Sequence, residues 1–142
     1  MAPVVQARSR TIPAPANQVW ERLVAISRWP DWHPLYTQMT APTHPVQLGT
    51  RFRYSNNGTR ITGEVVDLVP NSSFGFVGKA WGVTARNQWR LTPIDSQRTE
   101  VSVREEMLGL LPWLLRGPFN RGLAEGLERW LESLERSLSS QI

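Results

Sequence analysis

The C-terminal segment carries a long amphipathic helical pattern, and no other feature of the sequence restricts the fold as strongly. Apolar residues recur every three or four positions on one stripe: Phe119, Leu123, Leu127, Trp130, Leu134 and Leu138. The charged residues between them fall on the other side, so only one side of this helix can be buried. From Pro118 to Ser139 such a helix would be roughly 30 Å long. A β-sheet that is apolar on one face can cover it, which predicts a two-layer α+β domain.

The chain before this helix is typical of an antiparallel meander. Val4 to Ile12 alternates loosely and ends at Pro13, which predicts a first strand. Further β-rich stretches are separated by turn signals: Phe52 to Tyr54, Ile61 to Val69, Phe74 to Val77, Val83 to Leu91, and Thr99 to Met107. Asn57-Gly58 between two of them indicates a hairpin. We expect residues 1–142 to form a single domain.

A short helical region is expected directly after the first strand. Pro15 fits the first turn of a helix, where its missing N–H costs nothing. Apolar residues then follow at helical spacing: Val19, Trp20, Leu23 and Ile26. The segment from Trp29 to Pro34 ends that helix and predicts one more short turn.

Strand alternation places two polar residues among apolar neighbours. Asn87 shares a face with Val83, Ala85, Trp89 and Leu91, and Glu105 shares a face with Val101, Val103 and Met107. Both sets are predicted to face the long helix. A buried carboxylate is costly unless it has a partner or a raised pKa. Glu105 is therefore predicted to point into the interior and to titrate above its usual pKa.

Two glycines interrupt the long helix beside its apolar stripe. Gly122 and Gly126 each cost about 1 kcal/mol of helix propensity relative to alanine. One interpretation is that the missing side chains leave space for a cavity. The other is close packing of the helix against a strand, and the sequence does not separate the two.

The basic residues suggest a charged outer sheet face. Lys79 is the only lysine among 16 basic residues, and the formal net charge is +4. A shared outer face is predicted for Arg8, Arg10, Arg86, Arg90 and Arg104. Glu100 and Glu106 lie on that face and can pair across strands, and no aromatic residues interleave with the arginines. We therefore expect a salt-bridged face in solvent and no nucleic-acid partner.

Three segments occur in a characteristic order: Ile12-Pro13-Ala14-Pro15 with Val19 to Leu23 and Trp29 to Pro34, then Trp89 to Pro93 with Arg98 to Val101, then Glu105 to Leu111 leading into the helix. With these segments the chain resembles the START-like, or helix-grip, superfamily, and within it the bacterial polyketide cyclase/dehydrase and lipid-transport type (SRPBCC). The resemblance implies a curved seven-stranded antiparallel sheet wrapped around the long C-terminal helix. It also implies two short helices after the first strand and a ligand cavity under the long helix.

This resemblance directs the choice of site residues. Glu105 matches a glutamate commonly found four residues before a glycine in such proteins, here Gly109. His33 is the second candidate for acid–base work, although packing between Trp32 and Pro34 is the preferred interpretation. Ligand contacts are expected from Trp32, Tyr36, Phe52, Tyr54, Phe74, Phe76, Asn87, Trp89, Met107, Trp113, Phe119, Gly122 and Gly126.

Several kinds of chemistry are not expected. The sequence has no cysteine, and its two histidines are isolated from the carboxylates, so it predicts no metal site, and His44 is expected at the surface. No phosphate loop, nucleotide fingerprint or Gly-x-Ser-x-Gly motif is present, so no cofactor is expected. The N-terminus lacks a basic region followed by an apolar block, which predicts a cytoplasmic protein.

The segment from Leu110 to Leu115 is unusually apolar for a connection. Pro112 predicts a loop or a separate helical turn rather than part of the long helix. One hypothesis is that the segment gates the cavity, with possible docking on a membrane or on a second copy of the chain. The other is that Leu110, Leu111, Trp113, Leu114 and Leu115 are ordinary core packed on Trp29, Trp32 and Phe119.

Two functions stay open. The preferred one is binding or carrying of a small hydrophobic, lipid-like or aromatic molecule without catalysis. The alternative is a polyketide cyclase or dehydratase that uses Glu105 as an acid–base group. Both need the same cavity, and a monomer or a homodimer fits either.

Overall fold

The computed structural model describes residues 2–43, 45–56 and 58–139. The strands are β1 (Val4–Ile12), β2 (Tyr36–Thr40), β3 (Arg51–Asn56), β4 (Thr59–Val69), β5 (Ser73–Ala80), β6 (Val83–Asp95) and β7 (Arg98–Leu108). The helices are α1 (Ala16–Val24), a 3-10 helix (Ile26–Asp31), α2 (Leu110–Leu114) and α3 (Arg116–Ser139). His44, expected at the surface, and Asn57, expected in a hairpin turn, lie outside the described residues.

The strands form one seven-stranded antiparallel sheet in the order β1-β7-β6-β5-β4-β3-β2. With α3 as the long C-terminal helix, this is the expected α+β helix-grip architecture, and the two short helices follow β1 as predicted. Strand β1 lies at one edge, paired with β7 from Val4–Met107 to Ile12–Thr99. The last strand therefore pairs with the first, and the chain continues from β7 through α2 into α3.

Strand β2 is the one strand that alternation in the sequence did not locate. Gln38 has φ 51°, in the left-handed region, and the pairing with β3 shifts between Thr37 and Thr40. Such a bulge breaks the two-residue period on which a strand prediction depends.

The connection between sheet and long helix is a separate helical turn, as Pro112 predicted. Helix α2 ends at Leu114 and α3 begins at Arg116, two residues before the predicted start. Pro118 lies in the first turn of α3, where a missing N–H is tolerated.

Trp29 lies at the centre of an aromatic core. Its side chain is fully buried, and its ring centroid is 5.0 Å from that of Trp130 and 5.5 Å from that of Phe76. The rings of Tyr36, Phe52, Tyr54 and Phe74 lie between 5.6 and 6.4 Å from it. The indole Nε1 donates a 2.9 Å hydrogen bond to the Leu23 carbonyl, so its polar atom is satisfied in the core. The segment that ends the first helical region therefore supplies the residue around which the sheet packs.

The prediction that Arg8 and Arg10 share the outer face of the sheet is wrong. Both side chains point to α3, where Arg8 pairs with Glu128 at 3.1 Å and Arg10 pairs with Glu135 at 3.0 Å. The pairing of β1 with β7 aligns these arginines with the inward-facing Val103 and Val101. Because β1 is the edge strand, its inner face meets the charged flank of α3 rather than its apolar stripe.

Candidate functional site

A cavity of about 230 Å³ lies between α3 and the inner face of the sheet. Its lining combines apolar and polar side chains: His33, Leu35, Tyr36, Asn56, Glu105, Met107, Gly122, Leu123, Glu125, Gly126, Leu127, Arg129 and Trp130. Strand β7 supplies Glu105 and Met107, and α3 supplies the wall opposite them. An apolar pocket with a few convergent polar groups is the usual form of a small-molecule site.

Gly122 and Gly126 open the α3 side of this cavity. A Cβ atom built on either glycine would have no atom within 4 Å. Close packing against a strand, the alternative left open by the sequence, is therefore wrong. The two glycines lie one helical turn apart, so together they leave a shallow channel along one side of α3.

Glu105 lines the cavity and is held by Asn87. The two residues are paired across β6 and β7, and the Asn87 amide Nδ2 donates a 2.5 Å hydrogen bond to Oε1 of Glu105. Burial raises the pKa of Glu105 from 4.5 to about 7, and the Asn87 hydrogen bond opposes part of that rise. Near neutral pH this carboxyl group can therefore either accept or release a proton.

Two tyrosines lie close to this carboxyl group. Tyr36 is buried and accepts a 3.1 Å hydrogen bond from Nε1 of Trp130. Its ring stacks on Tyr54 with centroids 4.6 Å apart. Burial raises the pKa of both phenols, and the negative charge of Glu105 raises each further. Both tyrosines are therefore neutral hydroxyl groups at physiological pH.

His33 forms the floor of the cavity beside Tyr36 and Trp130. It is 1% exposed, and its ring centroid lies 4.3 Å from Tyr36 and 4.4 Å from Trp130. Burial lowers its pKa from 6.5 to about 4, and the nearby Arg129 charge lowers it further, while a backbone hydrogen bond opposes the change. Nδ1 accepts a 3.3 Å hydrogen bond from the Leu35 amide, which assigns the proton of the neutral ring to Nε2. Among the described residues this Nε2 has no hydrogen-bond partner.

Glu125 and Arg129 lie at the solvent side of the cavity. Both are exposed and line its wall on α3, on either side of Gly126. Within the described ranges Arg129 forms no ion pair shorter than 4.0 Å. The sequence interpretation placed both residues on the outer side of the helix. Glu125 follows Gly122 by three residues and Arg129 follows Gly126 by three, and this helical spacing is the signal that would have located them.

The structure brings six of the predicted site residues to this cavity: His33, Tyr36, Glu105, Met107, Gly122 and Gly126. Asn87 adjoins it through Glu105. Five others belong to the buried core and do not line this cavity: Phe52, Tyr54, Phe74, Phe76 and Trp89. Trp32, Trp113 and Phe119 lie elsewhere. Ligand contact by any of these residues stays a prediction. Sequence reasoning missed Leu35, Asn56, Glu125 and Arg129, and treated Leu123, Leu127 and Trp130 only as the apolar stripe.

The apolar segment before α3 is mainly exposed. Leu110, Trp113, Leu114 and Leu115 are between 48% and 59% exposed, so the hypothesis that all five side chains are core is wrong. None of them lines the cavity. Their role as a gate therefore stays a prediction.

A larger groove of about 700 Å³ lies between α1, the 3-10 helix and the second half of α3. Its lining is mainly polar and charged: Gln18, Glu21, Arg22, Ala25, Arg28, Asp31, Trp32, Ser133, Arg136 and Ser137. A lining this polar does not match an apolar ligand.

In the described part of the chain, no three histidine or carboxylate side chains are grouped in a way that could hold a metal ion. None of the described helices is both long and apolar enough to cross a bilayer.

Solved structures share this fold at low sequence identity. A START superfamily protein from Mycobacterium smegmatis superposes with a TM-score of 0.83 at 15% identity, covering 97% of this chain and 99% of that one. The Zhui aromatase/cyclase from Streptomyces sp. R1128 superposes with a TM-score of 0.81 at 18% identity, covering 94% of this chain and 92% of that one. A hypothetical protein from Helicobacter pylori has a TM-score of 0.82 at 16% identity, covering 94% and 86% of the two chains.

None of the curated proteins matches the chain. The sequence does match one family, described as polyketide cyclase / dehydrase and lipid transport, over residues 4–139. This match spans β1 to the end of α3, and the helix-grip fold agrees with it. The chain therefore belongs to the polyketide cyclase / dehydrase and lipid transport family.

Proposed function

We propose that this protein binds a compact, mainly apolar molecule in the cavity between α3 and β7, with one polar group of that molecule hydrogen-bonded to Glu105. The observation that carries the proposal is the open space left by Gly122 and Gly126 opposite the half-buried Glu105 carboxyl group. Apolar walls from Met107, Leu123 and Leu127 would hold the body of the ligand. The polar groups would fix its orientation.

The size of the cavity limits the ligand. A volume of about 230 Å³ corresponds to roughly eight water molecules at ~30 Å³ each, below the ~300–1,000 Å³ of drug-sized sites. One or two fused rings fit this space. A complete lipid would need its chain to leave the cavity along the channel beside Gly122 and Gly126.

The hydrogen-bond donors and acceptors that line the cavity favour a ligand with a hydroxyl or carbonyl group. Ionised Glu105 accepts a hydrogen bond from a hydroxyl group, and the protonated form donates one to a carbonyl group. His33 adds an N–H donor that has no partner among the described residues. A naphthol, which has two fused rings and one hydroxyl group, is a suitable fluorescent probe for this arrangement.

The test is a pair of glycine substitutions on the same helix. Gly126→Leu places a side chain in the cavity, so naphthol affinity is expected to fall by at least about tenfold. Replacing a helical glycine also removes a propensity cost of about 1 kcal/mol, so the melting temperature should hold or rise. Gly117→Leu is the matched control, because Gly117 is exposed in the first turn of α3 and lies outside the cavity. Unchanged naphthol affinity in Gly126→Leu would contradict the proposal.

A second candidate function is acid–base catalysis of the cyclase or dehydratase type. The observation that favours it is the pKa of about 7 for Glu105, beside Tyr36 as a neutral hydroxyl donor. Ionised Glu105 would remove a proton from a carbon between two carbonyl groups. The resulting carbanion would attack a second carbonyl carbon of the same chain, and the new alkoxide would take a proton from Tyr36 or from water.

Glu105→Gln separates binding from catalysis. The glutamine side chain has the same shape, so naphthol binding is expected to change by less than about tenfold. Ring formation from a poly-β-ketone thioester would be lost if Glu105 is the base. Equal rates of ring formation in the wild type, in Glu105→Gln and in buffer would exclude the catalytic role and leave the binding role.

A further inference from the structure

Five exposed apolar side chains form a surface at the end of the sheet where the β5–β6 hairpin meets α2. Trp81, in the hairpin turn, is 83% exposed. Four residues of the α2 segment are about half exposed: Leu110, Trp113, Leu114 and Leu115. We call these five residues the apical patch. Neither the core nor the cavity uses them, and exposed clusters of large apolar side chains usually mark a binding surface.

Two glycines hold the two halves of the apical patch together. The Leu111 amide donates a 3.2 Å hydrogen bond to the Gly82 carbonyl. A Cβ atom on Gly109, which has φ 122°, would lie 2.5 Å from that carbonyl oxygen, and one on Gly82 would lie 2.8 Å from Cγ of Leu111. Helix α2 therefore rests directly on the hairpin. Trp81 and the α2 side chains therefore lie at the same end of the sheet, beside this contact.

The segments that meet at this end of the sheet are uniformly basic. Strand pairing brings together residues 2–6, 58–62, 78–86 and 107–121, through the pairs Val4–Met107, Thr62–Lys79 and Thr84–Leu108. They contain no aspartate or glutamate, and their basic residues are Arg60, Lys79, Arg86, Arg116 and Arg121. The next acidic residues on β4 and β7, Glu64 and Glu106, are ion-paired with Arg51 and Arg104.

We propose that the apical patch docks on an anionic membrane surface. Tryptophan side chains are enriched at the level of lipid headgroups, where the ring is half apolar and half hydrated. The leucines beside Trp113 would then enter the apolar boundary below the headgroups. Each lysine or arginine near an anionic leaflet contributes about 1 kcal/mol, which is a factor of about five in affinity. Apolar insertion and basic charge on one surface are the two signals that stable peripheral binding requires.

The same charges argue against a second copy of the chain as the occupant. A two-fold dimer places the same surface of each copy against the other. The basic residues around the apical patch would then face each other with no acidic residue in these segments to pair with them. A bilayer containing anionic lipid supplies the opposite charge instead.

Docking in this orientation places the cavity close to the bilayer. Met107 and Gly122 line the cavity; Met107 lies three residues before α2, and Gly122 directly follows Arg121. The inference does not depend on the proposed ligand, because vesicle binding is measured on the protein alone.

The experiment is flotation of the full chain with vesicles of phosphatidylcholine, alone or mixed equally with phosphatidylglycerol. Wild-type protein is expected to float with the mixed vesicles and to be released by high salt. Trp81→Ser combined with Leu114→Ser should reduce binding by at least about tenfold, because each removes a large exposed apolar side chain. These are the most exposed members of the apical patch, so the melting temperature should not fall. Leu48→Ser is the matched control, since Leu48 is 65% exposed just before the start of β3 and lies outside the apical patch.

A second variant tests the contribution of the basic residues around the apical patch. Lys79→Glu combined with Arg121→Glu should abolish the preference for phosphatidylglycerol while leaving the apolar residues in place. The proposal is overturned if wild-type protein does not float with the mixed vesicles, or if both variants float as the wild type does. It is also overturned if the wild type self-associates in solution through the apical patch, which sedimentation of wild type and Trp81→Ser/Leu114→Ser would show.

Discussion

Glu105→Gln is expected to stabilise the folded protein, and the gain should grow with pH. The folded-state pKa of Glu105 is about 7, against 4.5 for the ordinary group, so the folded state holds its proton more tightly than the unfolded state does. The contribution of this proton to the free energy of unfolding is fully present below pH 4.5 and is lost as the pH rises through about 7. At 1.36 kcal/mol per pKa unit, the loss is at most about 3 kcal/mol, because water that reaches the half-buried side chain screens part of it.

The glutamine variant removes this loss without leaving an unpaired amide. Its side chain can accept the hydrogen bond that Asn87 donates to Glu105. It can also donate to Oδ1 of Asn87, which has no partner among the described residues. Below pH 4.5 the two proteins should therefore have similar free energies of unfolding, because the carboxyl group is then protonated in both folded and unfolded states.

Urea unfolding over a series of pH values measures the difference directly. The free energy of unfolding of Glu105→Gln should exceed that of the wild type by an amount that rises between pH 4.5 and about 7 and is then constant. Glu106→Gln is the control, because Glu106 is the next residue and its ion pair with Arg104 lies on the other face of the sheet. An advantage of the Glu105→Gln variant that is absent, or independent of pH, would refute the assignment of Glu105 as a buried, proton-holding group.

The Glu105→Gln variant should also reveal how His33 changes stability with pH, in the direction opposite to Glu105. The pKa of His33 is lowered from 6.5 to about 4, so its contribution to stability is complete above pH 6.5 and is lost as the pH falls toward 4. In the wild type, Glu105 and His33 change stability in opposite directions over much of this range. In Glu105→Gln, His33 acts alone, and the free energy of unfolding should rise with pH between 4 and 6.5.

Three further substitutions test the core, the connection to α2 and the cavity. Trp29→Ala should cost about 3–5 kcal/mol in urea unfolding, because the indole is fully buried at the centre of the aromatic core. Gly109→Ala should lower the melting temperature by more than a control Gly117→Ala, since Gly109 has φ 122° and its Cβ would collide with the Gly82 carbonyl. Thr99→Val should cost about 1–3 kcal/mol by chemical denaturation, because the buried Thr99 hydroxyl donates a 2.8 Å hydrogen bond to the Ala14 carbonyl.

Local periodicity in the sequence was sufficient to predict most of the helices and strands and part of the candidate site. The stripe from Phe119 to Leu138 predicted α3, and alternation in β6 and β7 placed Asn87 and Glu105 on the inner face. Pro112 predicted the break before α3. Each of these features depends on the spacing of residues within one element, because a side chain's face follows directly from the period of its helix or strand.

Only the tertiary structure decided which elements meet and what lies between them. Arg8 and Arg10 follow the period of β1, yet they pair with α3 because β1 is the edge strand beside the helix. The helical spacing of Trp29 after Ile26 does not distinguish it as the centre of the core, and β2 is hidden by a bulge at Gln38. Trp81 lies 29 positions or more before the residues of the apical patch that it joins. Contacts of this kind depend on strand order and on the packing of distant segments, which a pattern within a single element does not contain.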